Sequence, residues 1–216
     1  METTFTPFAG LIGGALIGLA AVAFMALLGR ITGVSGIVAG LLAVPSPDTL
    51  WRGAFVIGLI GGSAIVQAIG WEQVPMISAV ASALAVGLLF GAGLAVSGMT
   101  NPAKILSFLD VATIADGAWD GTLLFVMGGA LAVTYVGYWY VLARPRPVLD
   151  SIFHLPTARD IDRRLLLGAA VFGIGWGLVG YCPGPAIAAL AGPQAEPALF
   201  VAALLIGLWI GGKTKL

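Results

Sequence analysis

Charge is what this chain has least of. Among its 216 residues only 9% are Asp, Glu, Lys or Arg, whereas 59% are hydrophobic and the mean hydropathy is +1.04. Soluble domains carry roughly a quarter of charged residues, so a water-exposed globule is excluded. The net charge is zero, which leaves no basic surface for nucleic acid. Cysteine and histidine each occur once, at Cys182 and His154. That rules out an intramolecular disulfide framework and a Cys/His metal site, and no metal or cofactor is expected. Glycine-rich phosphate-binding motifs of ATP-hydrolysing proteins are also missing.

Long apolar runs are plentiful. They lie near residues 8 to 28, 53 to 69, 76 to 97, 121 to 143, 165 to 181 and 197 to 212, and none contains a formal charge. Each is about 17 to 22 residues, enough to cross a hydrocarbon layer of roughly 30 Å as a helix. The alternating strands of about ten residues that a barrel needs are absent. The first run follows Met1-Glu2-Thr3-Thr4 without a basic leader, so it reads as a retained helix. Gly-x-x-x-Gly pairs at Gly14/Gly18, Gly58/Gly62, Gly87/Gly91, Gly173/Gly177 and Gly207/Gly211 predict close helix packing.

Three shorter apolar pieces, 33 to 43, 101 to 109 and 184 to 192, each follow a glycine-rich break. At about ten residues they cannot span, and they read as re-entrant half-helices that reach mid-depth and return. The expected fold is one all-α integral membrane domain over 1–216, with about six transmembrane helices and three re-entrant half-helices. These fall into three helix/re-entrant/helix repeats: 1–70, 76–143 and 165–216, with a loop at 144–164.

Arg144, Arg146, Arg159, Arg163, Arg164, Lys213 and Lys215 then share one side, which the positive-inside rule makes cytoplasmic together with both termini. Asp48, Asp110, Asp116, Asp120 and Glu196 are expected to face outward or line the mouth. Thr157 and Asp160 have the spacing of a capping box ahead of the fifth span.

Phe90 to Ile105, "FGAGLAVSGMTNPAKI", lies without a gap on Phe172 to Ile187, "FGIGWGLVGYCPGPAI", placing Thr100 on Cys182. "GRITGVSGI" fits more loosely, with Thr32 on Thr100. Asn101-Pro102 and Pro183-Gly184-Pro185 read as helix starts, with a small or polar cap and a proline whose missing N–H costs nothing. Backbone opened at Gly98, Pro102, Gly180, Pro183, Gly184 and Pro185 would aim N–H groups and positive helix ends at mid-depth, favouring an anion. Polar side chains collect there: Thr32 and Ser35, then Ser97, Thr100 and Asn101, then Cys182. Lys104, one turn into the second half-helix, is either a ligand for an anion or a snorkelling cation. Ser97 alternatively bonds a backbone carbonyl, and Cys182 alternatively packs as a small hydrophobe.

"GRITGVSGI", "SGMTNPAKILSFLD" and "FHLPTARDIDRRLL...FGIGWGLVGYCPGPA" resemble the YeeE/YedE family of bacterial inner-membrane proteins, associated with uptake of thiosulfate or related sulfur compounds. From Gly87 to Ala191 the chain resembles the second of two half-size components, and residues 1 to 70 the start of the first. The resemblance implies a noncatalytic permease in which mid-membrane cysteines pass a small sulfur-containing anion along by S–H hydrogen bonds. Cys182 matches one such position, while a second cysteine segment of the "GCTSGHG" kind is absent. That leaves open another anion, a persulfide, or a second membrane subunit or cytoplasmic sulfur-carrier protein as partner, besides the lipid bilayer. A thiol-based sulfur-transfer enzyme is disfavoured, because Cys182 has neither a resolving cysteine nor a histidine base beside it.

Overall fold

A computed structural model describes residues 5–31, 33–42, 48–69, 79–157 and 160–213. Its elements are α1 (Pro7–Leu28), α2 (Val34–Leu41), α3 (Thr49–Ile69), α4 (Ala79–Val96), α5 (Pro102–Leu109), a 3-10 turn (Val111–Ile114), α6 (Thr122–Leu142), α7 (Arg163–Val179), α8 (Pro183–Ala189) and α9 (Glu196–Lys213). Among the described residues no strand forms, and the one extended pairing is an isolated bridge between Arg30 and His154. The order long, short, long occurs three times. Thr32, and the junction at 70–78, lie outside the described residues.

Among the described residues two helices, α1 and α6, are long and apolar enough to cross a membrane; α7 and α8 make a third candidate if they count as one span bent by 41°. The apolar stretches of α3, α4 and α9 are shorter, at Thr49–Ile65, Ala81–Val96 and Glu196–Gly211.

Local chemistry sets the ends. Asn101 caps α5 by accepting from the Ala103 N–H at 3.0 Å, with Pro102 in the first turn. Asp162 caps α7, its carboxylate accepting from the Leu165 N–H at 2.7 Å. The cap is therefore Asp162, not the Thr157/Asp160 pair expected from spacing: it stands one residue before the helix, where a carboxylate reaches the free N–H groups. α7 stops at Gly180, whose φ of 72° is left-handed backbone that a side chain would strain.

Glycines fix the packing. A Cβ on Gly62 would lie 2.0 Å from the Leu88 carbonyl oxygen, and one on Gly91 2.1 Å from that of Leu59, so α3 and α4 touch backbone to backbone. Gly14 and Gly18 meet Val126 and Ala130 on α6 in the same way, and Gly13 meets Gly93 on α4 and Ser97 just past its end. Where backbones approach this closely, dispersion and weak polar contacts replace the hydrophobic effect as the source of cohesion.

The order of these contacts gives helix directions. Phe55 pairs with Gly87 and Leu59 with Gly91, so α3 and α4 run parallel. Gly10 pairs with Thr122 and Gly18 with Ala130, so α1 and α6 are also parallel. α4 runs against α1, since Gly13 meets Ser97 while Phe24 shares a core with Ala83 and Val86. The expected arrangement, every unit starting and ending on one side, is therefore not the one that packs. The first two units are inverted relative to each other, because the small residues of α1 and α4 interlock only in the antiparallel sense.

Inversion also regroups the charges. Val148, Leu149 and His154 donate backbone N–H bonds of 2.9, 2.8 and 2.7 Å to the carbonyls of Ala26, Leu27 and Gly29, so the 144–157 stretch closes the C-terminal end of α1. Arg30 and Arg52 lie at that end, stacked on Trp51 with their guanidinium carbons 5.1 and 5.3 Å from its rings, and both reach Asp48 at 3.4 and 3.5 Å.

Candidate functional site

The breaks meet. A Cβ on Gly184, at the start of α8, would sit 3.5 Å from Val34 at the start of α2 and 3.6 Å from Phe90. On the other side of the same break, Gly180 abuts the Pro102 carbonyl oxygen and Leu106 of α5, at 2.8 and 2.7 Å from its Cβ position. The starts of three half-helices thus gather around residues 180–184, brought together from inverted units.

Cys182 is the N-terminal flanking residue of α8, half-buried, and its side chain makes no cap bond. It packs with Trp176 on a core of Val38, Leu59, Leu94, Met99, Ile105 and Ile187. Trp176 Nε1 approaches the sulfur without completing a hydrogen bond, and no other partner for it is found among the described residues. A buried indole N–H without an acceptor is costly, and an acceptor entering here would remove that cost. In the gapless alignment Thr100 stands on Cys182. The helix starts at Pro102 in one unit and Pro183 in the other, so the cap position is held by Asn101 and Cys182, one residue out of that register.

A cleft of about 490 Å³ opens beside the break, lined by Thr100, Asn101, Pro102, Tyr181, Gln194 and Glu196 among others. Hydroxyl and amide groups converge there, together with the Glu196 carboxylate. The backbone offers fewer donors than the sequence suggests. Pro102, Pro183 and Pro185 have no N–H, Ala103 is bonded to Asn101 Oδ1, and Ala186 is bonded to the Cys182 carbonyl. The Gly184 N–H, the Cys182 thiol, the Thr100 hydroxyl and the Asn101 amide remain as the local donor types.

Other sequence candidates fall elsewhere. Ser97 is buried and gives its hydroxyl to the Leu94 carbonyl at 3.0 Å, the backbone-bonding role. Ser35 is exposed on α2. Lys104 folds back over Gly98, bonds Thr6 Oγ1 at 3.1 Å and pairs with Asp120 at 3.4 Å. Asp120, expected to face outward or line the mouth, is instead 2% exposed. Its other oxygen accepts from the Thr122 N–H at 2.9 Å, and Thr122 Oγ1 accepts from the Thr6 N–H at 3.0 Å. One polar knot thereby ties the starts of α1, α5 and α6. Its sequence signal was an aspartate two residues before a helix start, one position ahead of the cap residue Gly121, from where its carboxylate still reaches the first N–H of the helix. Away from the apolar helices, Asp150 bonds His154 at 2.9 Å. Partial burial pulls its carboxyl pKa upward, but bonds from His154, Ser151 and Ile152 and the imidazole charge outweigh this and hold it below the usual value.

Among the described residues no group of three or more His, Cys, Asp or Glu could hold a metal. Residues 76–212 match a family described as "Family of unknown function (DUF6691)", and the chain belongs to it. Two proteins of Xylella fastidiosa, from strains Temecula1 and 9a5c, each named "Probable transporter", are 54% identical over 128 residues. That stretch is 59% of this chain and 84% and 86% of theirs. Another Xylella fastidiosa "Probable transporter" is 31% identical over 135 residues, 60% of this chain and 94% of that one. No solved structure matches.

Proposed function

We propose that this DUF6691 member is a membrane permease for a small sulfur-containing anion, thiosulfate or a close relative, moved by hydrogen-bond handover at the helix breaks. The observation that carries this is the gathering of three half-helix starts around Cys182, with a cleft beside them lined by hydroxyl and amide groups and, at its Glu196 side, by a carboxylate. Discontinuous helices that meet from inverted units are a recurrent transporter binding site. A soft thiol with Trp176 packed beside it, and Thr100 and Asn101 lining the neighbouring cleft, suits a sulfur anion's diffuse charge better than a hard cation site would. The names of the Xylella relatives and the YeeE/YedE resemblance of "GYCPGP" support the same reading. On it, the protein works without cofactor or covalent chemistry in a bacterial cytoplasmic membrane. The three repeats and six spans are the frame proposed for that site, with the end bearing Arg30, Arg52, Arg144 and Arg146 cytoplasmic.

The test is uptake of labelled thiosulfate into proteoliposomes holding this chain alone. Wild type is expected to accumulate label and Cys182→Ser to lose most of the flux. Undiminished uptake by the serine variant, or no wild-type flux for thiosulfate and related sulfur anions, would sink the proposal.

A further inference from the structure

The cleft beside the break is polar, but its charge has the wrong sign for an anion. Among the described residues that line it, Glu196 carries the one formal charge, and no Lys, Arg or His joins it. Packing holds this carboxylate close to the break. Glu196 opens α9, and Phe200, one turn on along the same face, lies 5.5 Å ring to ring from Tyr181. Tyr181 is buried and adjoins Cys182, and the Glu196 charge reaches its hydroxyl. The dipole of α9 favours an acidic residue in its first turn. That accounts for a glutamate at this position, yet it does nothing to offset the repulsion of an anion in the same cleft.

An anion and a carboxylate inside about 490 Å³ are near neighbours. A like charge within about 4–6 Å disfavours the ionised form of a carboxyl, which answers by taking up a proton. Protonation removes the repulsion. It also turns Glu196 from an acceptor-only group into an O–H donor, of a kind with the Thr100 and Tyr181 hydroxyls and the Asn101 amide. The groups that face Glu196 are Tyr181 ahead of α8, Thr100 and Asn101 ahead of α5, and Gln194 on its own loop. The helices packed on α9, α2 and α8, carry no titratable side chain.

We propose that Glu196 is a proton-coupling site: the cleft takes up a sulfur anion together with a proton, which rides on this carboxyl. The inference rests on the proposed anion permease and names its coupling ion. The proton comes from the solution on the entry side and leaves with the anion on the other, so only an O–H bond forms and breaks. An inside-negative membrane opposes entry of an anion, and each proton carried with it cancels one charge. The linkage is reciprocal: a bound anion raises the proton affinity of Glu196 by the factor by which the proton raises the affinity for the anion.

Binding of labelled thiosulfate to the full chain in detergent is measured between about pH 8 and about pH 6, above the ordinary glutamate value of about 4.3. Thiosulfate itself stays ionised throughout. Wild-type affinity is expected to rise about tenfold as the pH falls, inside the usual range of about 5–150-fold for coupled sites. In weakly buffered solution, binding should take up close to one proton per anion. Glu196→Gln, shaped like the neutral acid, is expected to bind at the alkaline end as tightly as wild type does at the acid end, and to take up no proton. A glutamate that only caps α9 gives no such gain in affinity. Wild-type binding that ignores pH or weakens as it falls, or a glutamine variant that keeps the pH dependence, overturns the inference and leaves the anion permease standing. Absence of wild-type binding for thiosulfate and related sulfur anions at every pH overturns both. Should Glu196→Gln not accumulate, Glu196→Ala must show the same loss of pH dependence and of proton uptake.

Discussion

On α3 and α4, the pairs Gly58/Gly62 and Gly87/Gly91 are filled by the opposite backbone, with Cβ positions 2.0 to 2.3 Å from carbonyl oxygens. On α7, Gly173 and Gly177 have the same spacing, yet a Cβ on either would meet nothing within 4 Å. α7 touches the rest of the bundle mainly at α5, and Val171 and Leu178 are 71% and 76% exposed. The spacing is identical and the energetic meaning opposite. A small-residue pair permits close approach; only a facing ridge turns that permission into cohesion. In a bilayer an open apolar face of this kind meets lipid, which costs nothing there.

Substitution should separate the two regions. Gly62→Leu is expected to abolish the folded bundle, because the clash is with main chain rather than a movable side chain. Its cost exceeds the ~1–3 kcal/mol of ordinary overpacking. Gly173→Leu should leave thermal unfolding in detergent unchanged, and a comparable drop in both variants would erase the distinction. Next in size, Asp120→Ala removes the carboxylate that pairs with Lys104 inside the packed region. Removing one partner of a buried ion pair costs about 3–5 kcal/mol, read as a large fall in unfolding temperature. A fall no bigger than that of an exposed control such as Asp116→Ala would mean the knot does not hold the helix starts. The smallest effect leaves stability alone and tests direction. Reporters fused at the N-terminus and inserted near Ser151 are expected to report opposite sides of the membrane, because α1 and α6 run parallel. Same-side signals would restore the arrangement read from charge alone.

Much of the local structure was legible. The six long runs match α1, α3, α4, α6, α7 and α9 to within a few residues, and 33–43, 101–109 and 184–192 match the three short helices. Proline, glycine and cap residues act within one turn, so the sequence displays them directly. Of the site, the break residues around Cys182, Thr100 and Asn101 were visible for the same reason. Ser97's carbonyl bond was foreseen as one of two roles. Asp120 was misplaced because its partner Lys104 is 16 positions away, and Thr6, which completes the knot by bonding Lys104, is 98 positions from that lysine, beyond any local rule.

Composition and breaks alone determined that this chain is helical, apolar and interrupted at three points. The tertiary structure decided which way each helix runs, which glycines are filled, and that the breaks converge. A hydrophobic run or a Gly-x-x-x-Gly pair reads the same along either direction of a helix, so direction is settled only when two surfaces interlock. Gly13 closing on Gly93 and Leu59 closing on Gly91 are contacts of that kind, and they set the first two units against each other around Cys182.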